Sequence, residues 1–91
     1  MEYLKSVLDS LMHADISVIT TDCIQYCGKT ALEILEKKEL NEYDVTCMNL
    51  LIQICQIVYN NTDRSLLPLD DGVYDLLLER DKEYNEKVQV G

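Results

Sequence analysis

The chain has 91 residues, with 17 acidic and 8 basic side chains, a formal charge of −9 at pH 7 and a pI near 4.3. Such a surface repels phosphates, which argues against direct, sequence-independent binding of DNA or RNA. An apolar fraction of 47% argues against disorder, one Pro and three Gly argue against a turn-rich β fold, and no window has the length and apolar purity of a membrane span.

One acidic helical domain over residues 1–91 is the size-consistent reading. The first segment, Glu2 to about His13, places Leu4, Val7, Leu8 and Leu11 on one face of a short amphipathic helix. The start MEYLKSVLD is acidic and lacks the form of a signal peptide, which points to a cytoplasmic protein. Ala14 to Thr21 breaks the pattern, and ISVIT reads as an extended linker ending in Thr20, Thr21 and Asp22, which can cap the next helix.

A second helix is expected from about Asp22 to Lys38, with Ile24, Cys27, Ala31, Ile34 and Leu35 inward and Lys29, Glu33, Glu36 and Lys37 in water. Gly28 costs roughly 1 kcal/mol relative to Ala in such a position, and close approach of a neighbouring helix is the expected reason for it. Asn41 then reads as an N-cap, with Asp44 three residues on in the capping-box position.

Val45 to Tyr59, VTCMNLLIQICQIVY, organises the rest. At helical spacing Met48, Leu51, Ile52, Cys55, Val58 and Tyr59 share a face that Val45, Leu50, Ile54 and Ile57 widen, leaving Asn49, Gln53, Gln56 and Asn60 as one narrow polar stripe. A helix apolar nearly all round belongs inside a bundle. The fold class is therefore all-α, a small bundle of about four helices around this central one.

Residues 60 to 69 form a loop whose Leu66, Leu67 and Leu69 are too apolar to hang free. It is expected to fold back over the helix ends. Asp70 caps the last helix, with Leu69 and Tyr74 at the staple positions. Val73, Leu77, Tyr84 and Val88 make its inner face, widened by Leu76 and Leu78, while Arg80, Asp81, Lys82, Glu83 and Glu86 form its solvated side.

No residue set has the form of a catalytic centre, and the chain by itself does not read as an enzyme. Cys23, Cys27, Cys47 and Cys55 lack the spacing of a zinc or redox motif, and His13 is the single imidazole. Free buried thiols in a reducing compartment are the simplest reading, and no metal is required.

Two functional readings remain open. In the first, the chain is a small protein-binding inhibitor or regulator that mimics nucleic acid, meeting a basic protein surface through Glu79, Asp81, Glu83 and Glu86, with no cofactor and no membrane partner. A homodimeric scaffold kept soluble by its charge is the bland alternative. The second starts from Tyr59, Asn60, Asp63, Arg64, Asp71, Tyr74 and Asp75, a concentration of aromatic and charged groups across a helix end, a loop and a helix start. Such groups can stack on a flat ligand, accept ribose hydroxyls and balance a positive ring.

Within that concentration, Tyr59-x-x-x-Asp63, Pro68 and Asp71-x-x-Tyr74-Asp75-x-Leu77 resemble the helical N-terminal segment of bacterial NAD-dependent DNA ligases. The family pattern is Y-[YH]-x-x-D…P…D-x-x-Y-D-x-L, and the likeness covers about residues 53 to 85. In the family this segment binds the nicotinamide mononucleotide half of NAD beside a separate catalytic domain. The resemblance implies Tyr59, Asp71, Tyr74 and Asp75 as ligand-facing residues, and NAD or nicotinamide mononucleotide as cofactor. Asn60 departs from the pattern, the loop between Asp63 and Asp71 is two residues longer than the family's, and nothing here resembles the lysine-bearing nucleotidyltransferase motif.

Overall fold

The computed structural model describes the backbone of residues 2–61 and 68–90 and the side chains of residues 2–60 and 68–87. Four helices run in order, α1 (Glu2–Met12), α2 (Thr21–Glu36), α3 (Glu42–Asn61) and α4 (Asp71–Val90), with a 3-10 turn at Ile16–Val18 between the first two. There is no strand among the described residues. The protein is an all-α four-helix bundle, and α3 packs against each of the other three helices.

The centre is the helix that is apolar on most sides. Cys47, Met48, Leu50, Leu51, Ile52, Ile54, Cys55 and Val58 of α3 are all buried. Val45 and Ile57 are half-buried, and Asn49, Gln53, Gln56 and Asn60 are exposed as the expected stripe. Each buried Leu or Ile contributes about 1.5–3 kcal/mol relative to an exposed one. Around this helix, α1 supplies Leu4, Val7 and Leu11, and α2 supplies Cys23, Cys27, Ala31 and Ile34. By contrast, among the described side chains α4 supplies Leu77 alone as fully buried, with Val73, Tyr74, Leu78 and Tyr84 half-buried.

Helix ends obey local chemistry. Thr20 Oγ1 accepts from the Cys23 amide at 3.1 Å and starts α2. At α3, Asn41 Oδ1 accepts from the Asp44 amide at 2.8 Å while Asp44 Oδ2 accepts from the Asn41 amide at 3.2 Å, a complete capping box. Asp70 Oδ1 accepts from the Gly72 amide at 3.2 Å, and the Asp70 carbonyl takes the first helical bond of α4 from Tyr74. Leu69 before this cap is buried, as is Pro68. Leu66, Leu67 and the Val88 side chain lie outside the described residues.

Three expectations are corrected. ISVIT is not extended, because Ile16–Val18 close a 3-10 turn after Asp15, whose carboxylate accepts from the Ser17 amide at 3.1 Å. That local acceptor gives the chain an alternative to extension. Leu76 does not join the inner face of α4 and stands 52% exposed. The face of α4 packed on α2 and α3 is narrower than a central helix's, and Leu76 falls outside it. Gly28 is not held by a close neighbour, since a Cβ there would meet nothing within 4 Å.

The opposite mismatch occurs at the end of α1. The Asp15 amide donates to the Ser10 carbonyl and the Ala14 amide to the Leu11 carbonyl, the two bonds of a Schellman motif. Ala14 sits at its left-handed position with φ of 62°, where Gly is preferred because a Cβ crowds the carbonyl. Thus glycine stands where alanine fits, and alanine stands where glycine fits. The double variant Ala14→Gly, Gly28→Ala should therefore gain about 1–2 kcal/mol, near-additively because the sites share no partner. Thermal unfolding should shift upward by roughly 4–8 °C per kcal/mol, and a lowered midpoint would refute this account of both positions.

Asp44 does more than cap. Its Oδ1 accepts from Lys37 Nζ at 2.7 Å, and its residue is only 4% exposed. The lysine hydrogen bond holds the carboxyl below its ordinary value of 3.8, against burial that pushes it up, and the cap amide of Asn41 adds to the lowering. A lowered folded pKa means stability that is present above the ordinary value and lost as pH falls through the folded one. The Asp44→Asn variant should be less stable than the native chain at neutral pH, with the gap closing under acid. Urea unfolding at several pH values measures that gap, and a gap that widened below the ordinary carboxylate range would contradict the assignment.

Candidate functional site

The end of α3 and the start of α4 bring three sequence-selected residues together. Tyr59 is half-buried near the last turn of α3, and its hydroxyl donates to Asp71 Oδ1 at 3.0 Å. Its ring lies 5.0 Å from that of Tyr74, at an interplanar angle of 52°. The cap at Asp70 sets this geometry by starting α4 so that Asp71 occupies its first turn and Tyr74 the next. Burial, then the hydrogen bond to Asp71 and its negative charge, push the Tyr59 hydroxyl up to about 12. Asp75 is exposed, one turn beyond Asp71. Asp63 and Arg64 lie outside the described residues.

Chemically, this is a tyrosine pair whose one hydroxyl is already engaged by a carboxylate. A flat ligand entering between the rings would have to part them, and a ribose hydroxyl reaching Asp71 would compete with Tyr59. Asp75, like Asp71, is exposed.

The outer side of α4 carries the other selected residues. Asp71, Asp75, Glu79 and Glu83 are all exposed and succeed one another at four-residue intervals, so they form one ridge with a rise of about 6 Å per step. Glu86 is exposed and lies close to the same ridge at helical spacing. Asp81 is half-buried away from it, and its carboxylate accepts from Asn85 Nδ2 at 3.4 Å. Lys82 interrupts the ridge and is exposed.

The cysteines lie elsewhere. All four are free and buried. The Cys27 thiol is raised by its hydrogen bond to Cys23 and by burial, and burial pushes Cys55 up to about 12. These two thiols therefore stay protonated near neutral pH. Among the described residues, no group of three or more His, Cys, Asp or Glu side chains is placed to hold a metal ion. His13 is exposed at the end of α1, its Nδ1 2.8 Å from the Asp9 carbonyl oxygen.

Compared with known protein families, characterised proteins and solved structures, the chain matches none. The ligase likeness thus rests on its motif residues alone.

Two arrangements had little signal in the sequence. Tyr3 of α1 and Tyr26 of α2 meet edge to face with centroids 4.8 Å apart, though each is an isolated exposed aromatic in its own helix. Arg80 of α4 donates to the carbonyl of Lys37, far away along the chain.

For the tyrosine pair, Tyr59→Phe should cost about 1 kcal/mol at neutral pH, the net worth of one hydrogen bond. A raised folded pKa gives stability that is present below the ordinary value of 10 and lost as pH rises toward about 12. The difference between native and Tyr59→Phe proteins in urea should therefore shrink above pH 10. A difference independent of alkaline pH would remove the Tyr59–Asp71 hydrogen bond as its cause.

Proposed function

We propose that this protein is a small acidic regulator that binds a basic protein surface through the outer face of α4, in the manner of a nucleic-acid mimic. The observation that carries the reading is the ridge of Asp71, Asp75, Glu79 and Glu83 with Glu86 beside it, all exposed on the helix that has the fewest fully buried side chains among the described residues. Like charges four residues apart destabilise a helix by about 0.2–0.5 kcal/mol per pair, so this pattern is not one that helix stability favours. A rigid line of carboxylates matches a groove lined with Lys or Arg, steers the encounter and rejects acidic partners. Target classes with such grooves include nucleic-acid-processing enzymes, defence nucleases and repressors.

A second reading is supported by the meeting of Tyr59, Asp71 and Tyr74. In it the chain acts beside a separate catalytic chain, holding a nicotinamide nucleotide against Tyr74 and Asp75. It requires the Tyr59–Asp71 hydrogen bond to open, which places it behind the first.

The test is affinity capture from native cell extract with the wild-type chain and with the triple variant Glu79→Gln, Glu83→Gln, Glu86→Gln. A basic partner should be retained by the wild type, lost by the variant, and released as salt rises from about 0.1 M to 1 M, where the screening length falls from about 10 Å to 3 Å. Retention that ignores both the variant and the salt would defeat the proposal.

A further inference from the structure

The chain carries a net charge of −9, yet one end of the bundle gathers cations. Lys38 and Leu40, from the connection between α2 and α3, face Arg80, Glu83, Tyr84 and Lys87 of α4 across a cleft of about 320 Å³, with Glu39 completing the wall. That volume is at the small end of the range for ligand pockets, about 300–1,000 Å³. Three of the chain's 8 basic residues line it. Among the described residues, none of the three forms an ion pair, although Glu39 and Glu83 share the same cleft.

The three cations are not equivalent. Arg80 is half-buried, and one guanidinium nitrogen donates to the Lys37 carbonyl at the end of α2. That bond satisfies a helix-terminal acceptor and holds the guanidinium in place, leaving further N–H donors on the planar fork. Lys38 and Lys87 are exposed ammonium groups on long stems, able to close on an anion from two sides. Tyr84 and Leu40 are half-buried, and they supply an aromatic and an aliphatic surface beside the charges. The two glutamates reduce the excess of positive charge and disfavour long polyanions, which the acidic remainder of the molecule also repels.

We infer that this cleft is a binding site for a small phosphate monoester carrying a planar ring, with Arg80 as the fixed anchor, Lys38 and Lys87 closing on the phosphate, and Tyr84 and Leu40 against the ring. A guanidinium fork suits phosphate oxygens, and an aromatic wall suits any ring by its face. The site is independent of the acidic ridge reading, except that Glu83 borders both.

The test uses phenyl phosphate as probe, with phenol and inorganic phosphate as controls, monitored by amide chemical shifts of the full chain. Phenyl phosphate should shift residues 38–40 and 80–87, bind more tightly than inorganic phosphate, and leave those signals unmoved when replaced by phenol. The double variant Lys38→Glu, Lys87→Glu should weaken binding by at least about tenfold. Both side chains are exposed, so unchanged shifts in α1 and α3 will confirm that the variant is folded. Absence of shifts with millimolar phenyl phosphate, shifts centred elsewhere, equal binding of phenol, or undiminished binding by the folded double variant would each overturn the inference. The variant leaves the acidic residues of α4 intact, so its outcome is separable from the capture experiment.

Discussion

Burial of α3 on most sides is the constraint on which the rest of the structure depends. A helix that is apolar around most of its circumference cannot be covered by one neighbour, so at least two or three must pack on it. In this bundle α1, α2 and α4 do so, and from Val45 to Asn60 the exposed side chains are those of the stripe, Asn49, Gln53, Gln56 and Asn60. A chain of 91 residues buries a modest share of its surface. Most of that share is concentrated in one helix and its immediate shell.

The shell is uneven, and the unevenness has consequences. α1 and α2 each commit a regular apolar face to the core, whereas α4 commits chiefly Leu77. Its other described core-facing residues, Val73, Tyr74 and Leu78, pack against the core while remaining partly exposed. Its outer side carries the acidic ridge, and two polar contacts tie the helix back to the bundle: Asp71, at the start of that ridge, with Tyr59, and Arg80 with the Lys37 carbonyl further along. Because α4 has few fully buried side chains among the described residues, those polar links help fix its placement.

Residue 37 shows how local and long-range chemistry meet. It lies just past the end of α2, its ammonium bonds Asp44 of α3, and its carbonyl receives Arg80 of α4. One residue thus ties three helices at one end of the bundle. Because Arg80 is anchored there, the neighbouring Lys38 and Lys87 face a common space, and a basic cleft exists in a chain whose net charge is −9.

Much of the fold is legible in the sequence because it is written at short range. Apolar periodicity places the four helices and the buried face of α3, and the reach of a capping side chain is three residues, so Thr20, Asn41 with Asp44, and Asp70 can be read directly. Tyr59, Asp71 and Tyr74 can also be singled out, since a helix end, a connection and a helix start bring their positions near one another. The number of neighbours covering each helix is not legible. That is why periodicity puts Leu76 inside when it stands outside, and why Gly28 suggests a neighbouring helix that does not approach it. The same holds for pairings between residues far apart in the chain, such as Tyr3 with Tyr26 and Arg80 with Lys37. Periodicity determines which face of a helix is apolar, but only the assembled bundle decides how much of that face is covered and which distant groups become partners.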